Sequence, residues 1–391
     1  MTEARRLLPN QAHAISRRTS QRRFFLVPTD FCNEVVAYAF AVANEDYPTV
    51  QIHVLVAMSN HIEIVASDAH GPDEDSQLPR FFRDAHALIA SAMNHHYGRG
   101  EHFWAPGSYR NTEIHDLPAL ADRLVYALAN PAAADLVETL ADWPGLHFGP
   151  ELWTEGPNGA ELTFEKPEGA FFHGGRKNAL STDPNVARRQ RDQQREDYAA
   201  DLRAARQADR DAGLTKEEAR QAAARRRKNR KREKARERNR ATLPDEATLR
   251  IVAPPSYRGR EAEMAAEILS LLERREAEHR RERQRKGRGV SGAEAVRAMP
   301  PSFSPGDTEP NYDLSPTVAC KNRKKRKQVL KCLVGWRRRY RESRKLWPDE
   351  RKAFPLGTYQ MAYQHDAEIM SEAKCLEEGL IYTPTGPPDA A

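Results

Sequence analysis

The chain reads as an α+β protein: a layer of mostly antiparallel strands covered by helices, followed by a helical, highly basic C-terminal region. Three observations predict this. Val50 to Val65 (VQIHVLVAMSNHIEIV) alternates apolar residues with small or polar ones, the pattern of a strand with one covered and one usable face. Cys32 to Ala43, Leu78 to Tyr97 and Leu120 to Val137 repeat their apolar residues at helical spacing. Asn185 to Arg240 is rich in helix-compatible Ala, Arg, Gln, Asp and Glu but has almost no large apolar residues, so it builds no core of its own.

Taken in order, Met1 to Gln21 is polar and reads as loose chain, and Arg22 to Val27 reads as a first strand ended by Pro28. The Cys32–Ala43 helix and the Val50–Val65 strand follow, then an acidic loop over 68–77. Leu78 to Tyr97 is a helix with Pro79 near its start. His95 and His96 at its end fit a solvated helix terminus or a phosphate contact. Glu101 to Tyr109 is turn-rich and can return as a strand, with Trp104 as a packing anchor. The helix over 120–137 closes the sandwich, and Asn130-Pro131 marks a break or kink in it. These elements make a first domain over 22–150. Two similar phrases, AELTFEKP and EATLRIVAPP, each read as a short strand followed by proline. They are expected to pair as a small β element, 151–184 with 244–258, around a charged helical insertion at 185–243. A basic helical segment spans 259–298, with Met264, Ile268, Leu271 and Leu272 as its narrow apolar stripe. A Pro- and Ser-rich linker covers 299–315. An amphipathic basic helix region spans 316–366, with Val329, Leu330, Leu333, Val334, Trp336 and Tyr340 on one face, and a tail covers 367–391.

Of the 391 residues, 30% are charged, and the net charge of +6 is unevenly spread. Arg225, Arg226, Arg227, Lys228, Arg230, Lys231 and Arg232 cluster in the insertion. Lys324, Lys325, Arg326, Arg337, Arg338 and Arg339 cluster in the C-terminal helix. Such clusters fit a solvated charged helix or a phosphate-tracking arm; like-charge crowding favours nucleic acid as the partner. The aromatics of the C-terminal helix either stack on unpaired bases or dock on the first domain, and docking is the reading preferred here. Four cysteines, Cys32, Cys320, Cys332 and Cys375, form no CxxC pair, so neither a zinc ribbon nor a disulfide framework is indicated. No apolar run reaches membrane-spanning length, and a soluble cytoplasmic protein is expected.

Two pairs of residues carry chemistry. On a strand of period two, His61 and Glu63 point the same way, and an imidazole beside a carboxylate can hold a divalent metal. A hydrated strand end with two polar residues fits the same pattern. Tyr126 and Asn130, four residues apart on a helix, share one face. A phenol and an amide there can meet a strand-borne metal, or can be a buried tyrosine and a helix-ending Asn-Pro.

Taken together, MSNHIEIV, FWAPGSY, VYALANPAAADLV and DWPG, in this order, resemble the REP-associated tyrosine transposases of the HUH single-tyrosine superfamily. The likeness runs from about Arg22 to Gly145 and extends to the C-terminal part, where FPLGTY is a similar phrase. The resemblance implies a ferredoxin-like HUH nuclease domain with an antiparallel sheet. It implies Tyr126 as nucleophile, with His61, Glu63 and Asn130 holding Mg²⁺ or Mn²⁺. It implies nicking and rejoining of single-stranded or hairpin palindromic-repeat DNA through a 5′-phosphotyrosine, by a monomer or homodimer. The family carries His-hydrophobic-His where this chain has His61-Ile62-Glu63. A carboxylate also suits Mg²⁺ or Mn²⁺, and the same change fits a catalytically silent relative that binds structured DNA or RNA.

Overall fold

The structure, a computed structural model, describes residues 4–71, 74–173, 243–305, 316–365 and 367–382, with scattered positions between 204 and 222. The sheet begins before residue 22. β1 is His13–Arg18, paired antiparallel with a later strand on each side. Residues 22–27 are not a strand; Phe24, Phe25, Leu26 and Val27 are apolar because all four are buried. Leu7 and Leu8 are buried as well, so the segment from residue 4 to β1 belongs to the fold rather than hanging loose.

α1 (Asp30–Asp46) starts where the Thr29 side chain accepts a hydrogen bond from the Cys32 amide, and it buries Val35, Val36, Tyr38 and Phe40. The run over 50–65 is a hairpin, not one strand: β2 (Val50–Met58) and β3 (His61–Asp68) flank a Ser59-Asn60 turn. Met58 sits opposite His61, so the turn shifts the alternation by one residue and puts Val56 and Met58 on the face of His61 and Glu63; β2 is buried on both faces, which conceals that shift in the sequence. α2 (Leu78–His96) buries Phe81, Phe82, Ala85, Ile89 and Met93. β4 (Arg110–Ile114) follows the turn-rich segment, where Trp104 makes a single bridge to Thr19.

From β1 to β4 the chain order is strand, helix, strand, strand, helix, strand, and the spatial order is β2-β3-β1-β4 with every neighbour antiparallel. α3 (Leu117–Ala133) begins where the Asp116 carboxylate accepts from the Ala119 amide. It runs through Pro131 instead of breaking there. The lost amide falls in the last turn and Pro131 is buried, so packing outweighs the missing bond.

β5 (His147–Phe148) pairs with β2, and β6 (Ala160–Glu165) enters the next hairpin. Residues 166–245 form a separate unit. Its described portion includes α4 (Ala170–His173) and an ion pair of Lys166 with Asp245 at 2.7 Å. β7 (Glu246–Ile251) pairs antiparallel with β6 and parallel with β2 at Ile52. The two strands therefore extend the main sheet rather than forming a separate small element; joining β2 supplies β7 with a second partner and lets Leu249 and Ile251 be buried.

α5 (Glu261–Arg285) lies against α3 with Met264, Ile268 and Leu272 buried, and α6 (Ala293–Arg297) follows. β8 (Val318–Ala319) adds to β4, and α7 (Arg323–Glu350) starts from the Asn322 cap. Its buried apolar positions are Val329, Leu333, Trp336 and Tyr340, while Leu330 (41%) and Val334 (64%) face solvent, so the apolar face is narrower than the sequence suggests. α8 (Gln360–His365) and α9 (Glu372–Glu377) follow. Residues 367–382 are not a free tail. Met370, Cys375, Leu380 and Ile381 share one core with Trp336, Tyr340, Phe354 and the N-terminal Leu8. Residues 383–391 lie outside the described residues. No helix among the described residues is long and apolar enough to cross a membrane.

Candidate functional site

Register decides what surrounds His61 and Glu63. In the β1–β3 pairing, Arg18 stands opposite His61 and Ser16 opposite Glu63. Directly opposed residues share a face, so these four form one polar patch at the start of β3. The intervening Ile15, Ile62 and Ile64 turn to the other face and are buried. Arg17 also turns there, where its guanidinium meets His86 of α2 at 3.1 Å. α3 covers the His61 and Glu63 face, packing on β2 and β3.

The His61 and Glu63 side chains are 19% and 14% exposed, and His61 Nε2 lies 3.7 Å from Glu63 Oε1. That is too long for a hydrogen bond. It is short enough for a single divalent cation, bonded to each donor at roughly 2.1 Å, to lie between them. His61 Nδ1 faces Asn60 Oδ1 at 2.7 Å. An Nδ1–H donated to that carbonyl leaves the Nε2 lone pair free on the Glu63 side.

The local electrostatics follow from burial. Burial pushes His61 down to about 4, and the nearby Arg18 acts in the same direction, so the imidazole is neutral at physiological pH. Burial raises Glu63 to about 7, against the pull of a Ser16 hydrogen bond and the charges of Arg18 and Arg123. A neutral imidazole and a carboxyl poised near neutrality are states that a cation can capture without a large protonation penalty.

On α3, Arg123, Tyr126 and Asn130 lie at spacings of three and four along one stripe, between buried Leu124, Val125, Ala127 and Leu128. Tyr126 is 47% exposed, and the Arg123 guanidinium sits 5.7 Å from its ring centroid. Its phenol is held above the ordinary value, first by partial desolvation and then by the Glu63 carboxylate, with Arg123 and Arg18 opposing. The phenol and the carboxylate are thus within electrostatic reach of each other. Asn130 Nδ2 is buried without a hydrogen-bond partner. Amide oxygen and nitrogen are distinguishable only by their partners. With the amide turned over, an acceptor oxygen occupies the orphaned position, as a cation ligand would require. Among the described residues no group of three or more His, Cys, Asp or Glu is placed to hold a metal, so a cation at this site depends on the Asn130 amide as well as His61 and Glu63.

The end of α3 is held from outside. Arg283 of α5, 2% exposed, donates to the Ala132 carbonyl at 2.8 Å and pairs with Glu138 at 2.6 Å. The start of α3 and the start of α7 share one junction: the Asp116 carboxylate that caps α3 also accepts from the Asn322 amide at 3.0 Å. Lys324 and Arg326, both exposed, follow at once on α7. Arg338 is exposed too, whereas Lys325, Arg337 and Arg339 are half-buried, and Arg339 lies 3.9 Å from Glu378. Trp336 and Tyr340 are buried against the C-terminal core and are not available to stack on bases. Arg225, Arg226, Arg227, Lys228, Arg230, Lys231 and Arg232 lie outside the described residues.

Ser16, Arg18 and Arg123 were missed from the sequence. The first two sit on a strand that lies nine residues before the expected one, although the alternation around Ile15 in HAISRR carries its signal. Arg123 is one turn before Tyr126, and only the docking of α3 onto β3 makes that position matter.

No protein-family model matches the chain, and no curated protein matches it. Among solved structures, one of a REP-associated tyrosine transposase bound to a REP hairpin is similar at a TM-score of 0.31 and 20% identity, covering 37% of this chain and 81% of that one.

Proposed function

We propose that the chain nicks and rejoins single-stranded or hairpin DNA through Tyr126. The observation that carries this reading is the grouping of an exposed phenol, a neutral imidazole, a poised carboxylate and two arginines on one face of the sheet. The strand order β2-β3-β1-β4 supports the ferredoxin-like plan of the HUH enzymes that the sequence resembles. Exposed Tyr126 can reach a phosphodiester, and Arg18 and Arg123 supply positive charge for its non-bridging oxygens. His61, Glu63 and Asn130 would hold Mg²⁺ or Mn²⁺, which supplies Lewis-acid neutralisation of the scissile phosphate. The phenol oxygen forms a bond to phosphorus and the bond from phosphorus to the 3′ oxygen breaks. The phenol proton goes to solvent and the departing 3′ oxygen takes one up. A 5′-phosphotyrosine and a free 3′-hydroxyl result, and because one ester replaces another, attack by a 3′-hydroxyl reverses the step. The exposed cations at the start of α7 would grip backbone phosphates.

A labelled hairpin oligonucleotide incubated with the protein and Mn²⁺ should give a covalent adduct on a denaturing gel, absent in Tyr126→Phe. An adduct that persists in that variant overturns the assignment. A second reading, a silent relative that binds structured DNA or RNA, is favoured by the raised phenol and by a donor set with a single carboxylate. It predicts salt-sensitive hairpin binding with no cleavage at any metal concentration.

A further inference from the structure

On the sheet face opposite Tyr126 lies a cavity of about 600 Å³, bounded by the N-terminal segment, β1, α2, α7 and residues 358–360 leading into α8. This volume is within the range of small-molecule sites. Arg5, Arg17, Arg83 and Arg344 line it, and no carboxylate does. Arg83 is matched by its neighbour Asp84 at 2.7 Å; among the described residues the other three have no ion-pair partner. Arg5 donates to the Tyr109 carbonyl at 3.1 Å and lies 4.4 Å from the Tyr109 ring centroid. Arg17 lies 5.3 Å from the Trp104 ring centroid, and its Nε is buried with no hydrogen-bond partner. Tyr340 and Tyr359 add to the aromatic lining.

Arg17 is half-buried, meets the neutral ring of His86 at 3.1 Å and has no counter-charge, an arrangement that an anion would complete. Arg5 and Arg344 are exposed at the mouth, where they add positive charge with no carboxylate against it. The aromatic lining asks for a flat ring as well, since stacking on tyrosine and cation–π contact with arginine suit any base. We propose that this cavity is a non-covalent nucleotide site, in which Arg5, Arg17 and Arg344 meet a phosphate and the half-buried Tyr109 and Tyr359 receive a base. The nucleotide is either free or carried in an unpaired strand. Because the sheet separates the cavity from Tyr126, occupancy here does not depend on cleavage.

The test is isothermal titration of the full chain with adenosine and guanosine 5′-monophosphates and with a short single-stranded oligonucleotide. Inorganic phosphate and adenosine serve as controls. A mononucleotide binding with a Kd below about 1 mM identifies a free nucleotide. Binding by the oligonucleotide alone identifies a strand-borne one. In either case Arg5→Gln and Arg344→Gln each weaken binding at least about tenfold, and adenosine and phosphate bind much less well. Arg344 is exposed, so its variant carries the test if Arg5→Gln does not fold. Equal binding of phosphate and nucleotide, no binding at all, or affinity unchanged in folded variants overturns the proposal. Nicking by Tyr126 does not enter the readout, so the two readings fail separately.

Discussion

Glu63→Gln should make the metal-free protein more stable at pH 8 and leave it unchanged near pH 4.5. The structure lifts the Glu63 carboxyl from an ordinary 4.5 to about 7, chiefly through burial. That difference corresponds to about 3 kcal/mol. Below 4.5 both folded and unfolded chains hold the proton. Between 4.5 and about 7 only the unfolded chain releases it, so stability falls as pH rises and the contribution is lost once the folded group ionises. Glutamine cannot ionise. The variant should therefore exceed the wild type by up to about 3 kcal/mol at pH 8, and the two should converge at acid pH. His61, lowered from 6.5 to about 4, makes its own contribution between those values, and because it is present in both proteins it cancels from their difference. Urea unfolding followed by circular dichroism, with chelator present, measures the gap. Adding Mn²⁺ at pH 8 should narrow it, because the ion stabilises the ionised wild type and not the variant. A variant no more stable than wild type at pH 8, or a gap that is the same at both pH values, refutes the reasoning.

Arg283→Ala should lower stability by about 1–3 kcal/mol in urea titration, since it leaves the buried Ala132 carbonyl at the end of α3 without its donor, while Glu138, 43% exposed, is taken up by water. Burial alone would raise Glu113, but Arg6 at 2.7 Å and His115 overcome it and hold the carboxyl at about 2. Its contribution is thus present above 4.5 and lost as pH falls towards 2, so the stability of Glu113→Gln should decline less between pH 5 and pH 3 than that of the wild type. Replacing Lys324, Arg326 and Arg338 by alanine should flatten the salt dependence of hairpin binding, by about 0.7–0.9 in the logarithmic slope for each phosphate contact removed. An unchanged slope would place the phosphate contacts elsewhere.

The three helices of the first domain were legible because each has a long apolar repeat; α2 spans Leu78–His96 against an expected 78–97. Features read from local composition alone fared worse. Phe24 to Val27 looks like a strand because burial and sheet pairing select the same residues. The hairpin at Ser59-Asn60 is hidden because β2 is buried on both faces, so the one-residue phase shift between Met58 and His61 leaves no break in the apolar pattern. The residues around 367–382 look like a tail, since their apolar positions are sparse and become a core only against Trp336 and Leu8.

The sequence by itself determined that His61 and Glu63 lie on one face and that Tyr126 and Asn130 lie on another, because these follow from the two- and 3.6-residue periods of the backbone. Only the tertiary structure decided that Ser16 and Arg18 flank the first pair, that Arg123 and Tyr126 reach the same patch, and that Arg5 and Arg344 line one cavity. Side-chain direction within an element is fixed by its immediate neighbours. Register and docking are fixed by burial summed over residues tens to hundreds of positions apart, and no local pattern carries that sum.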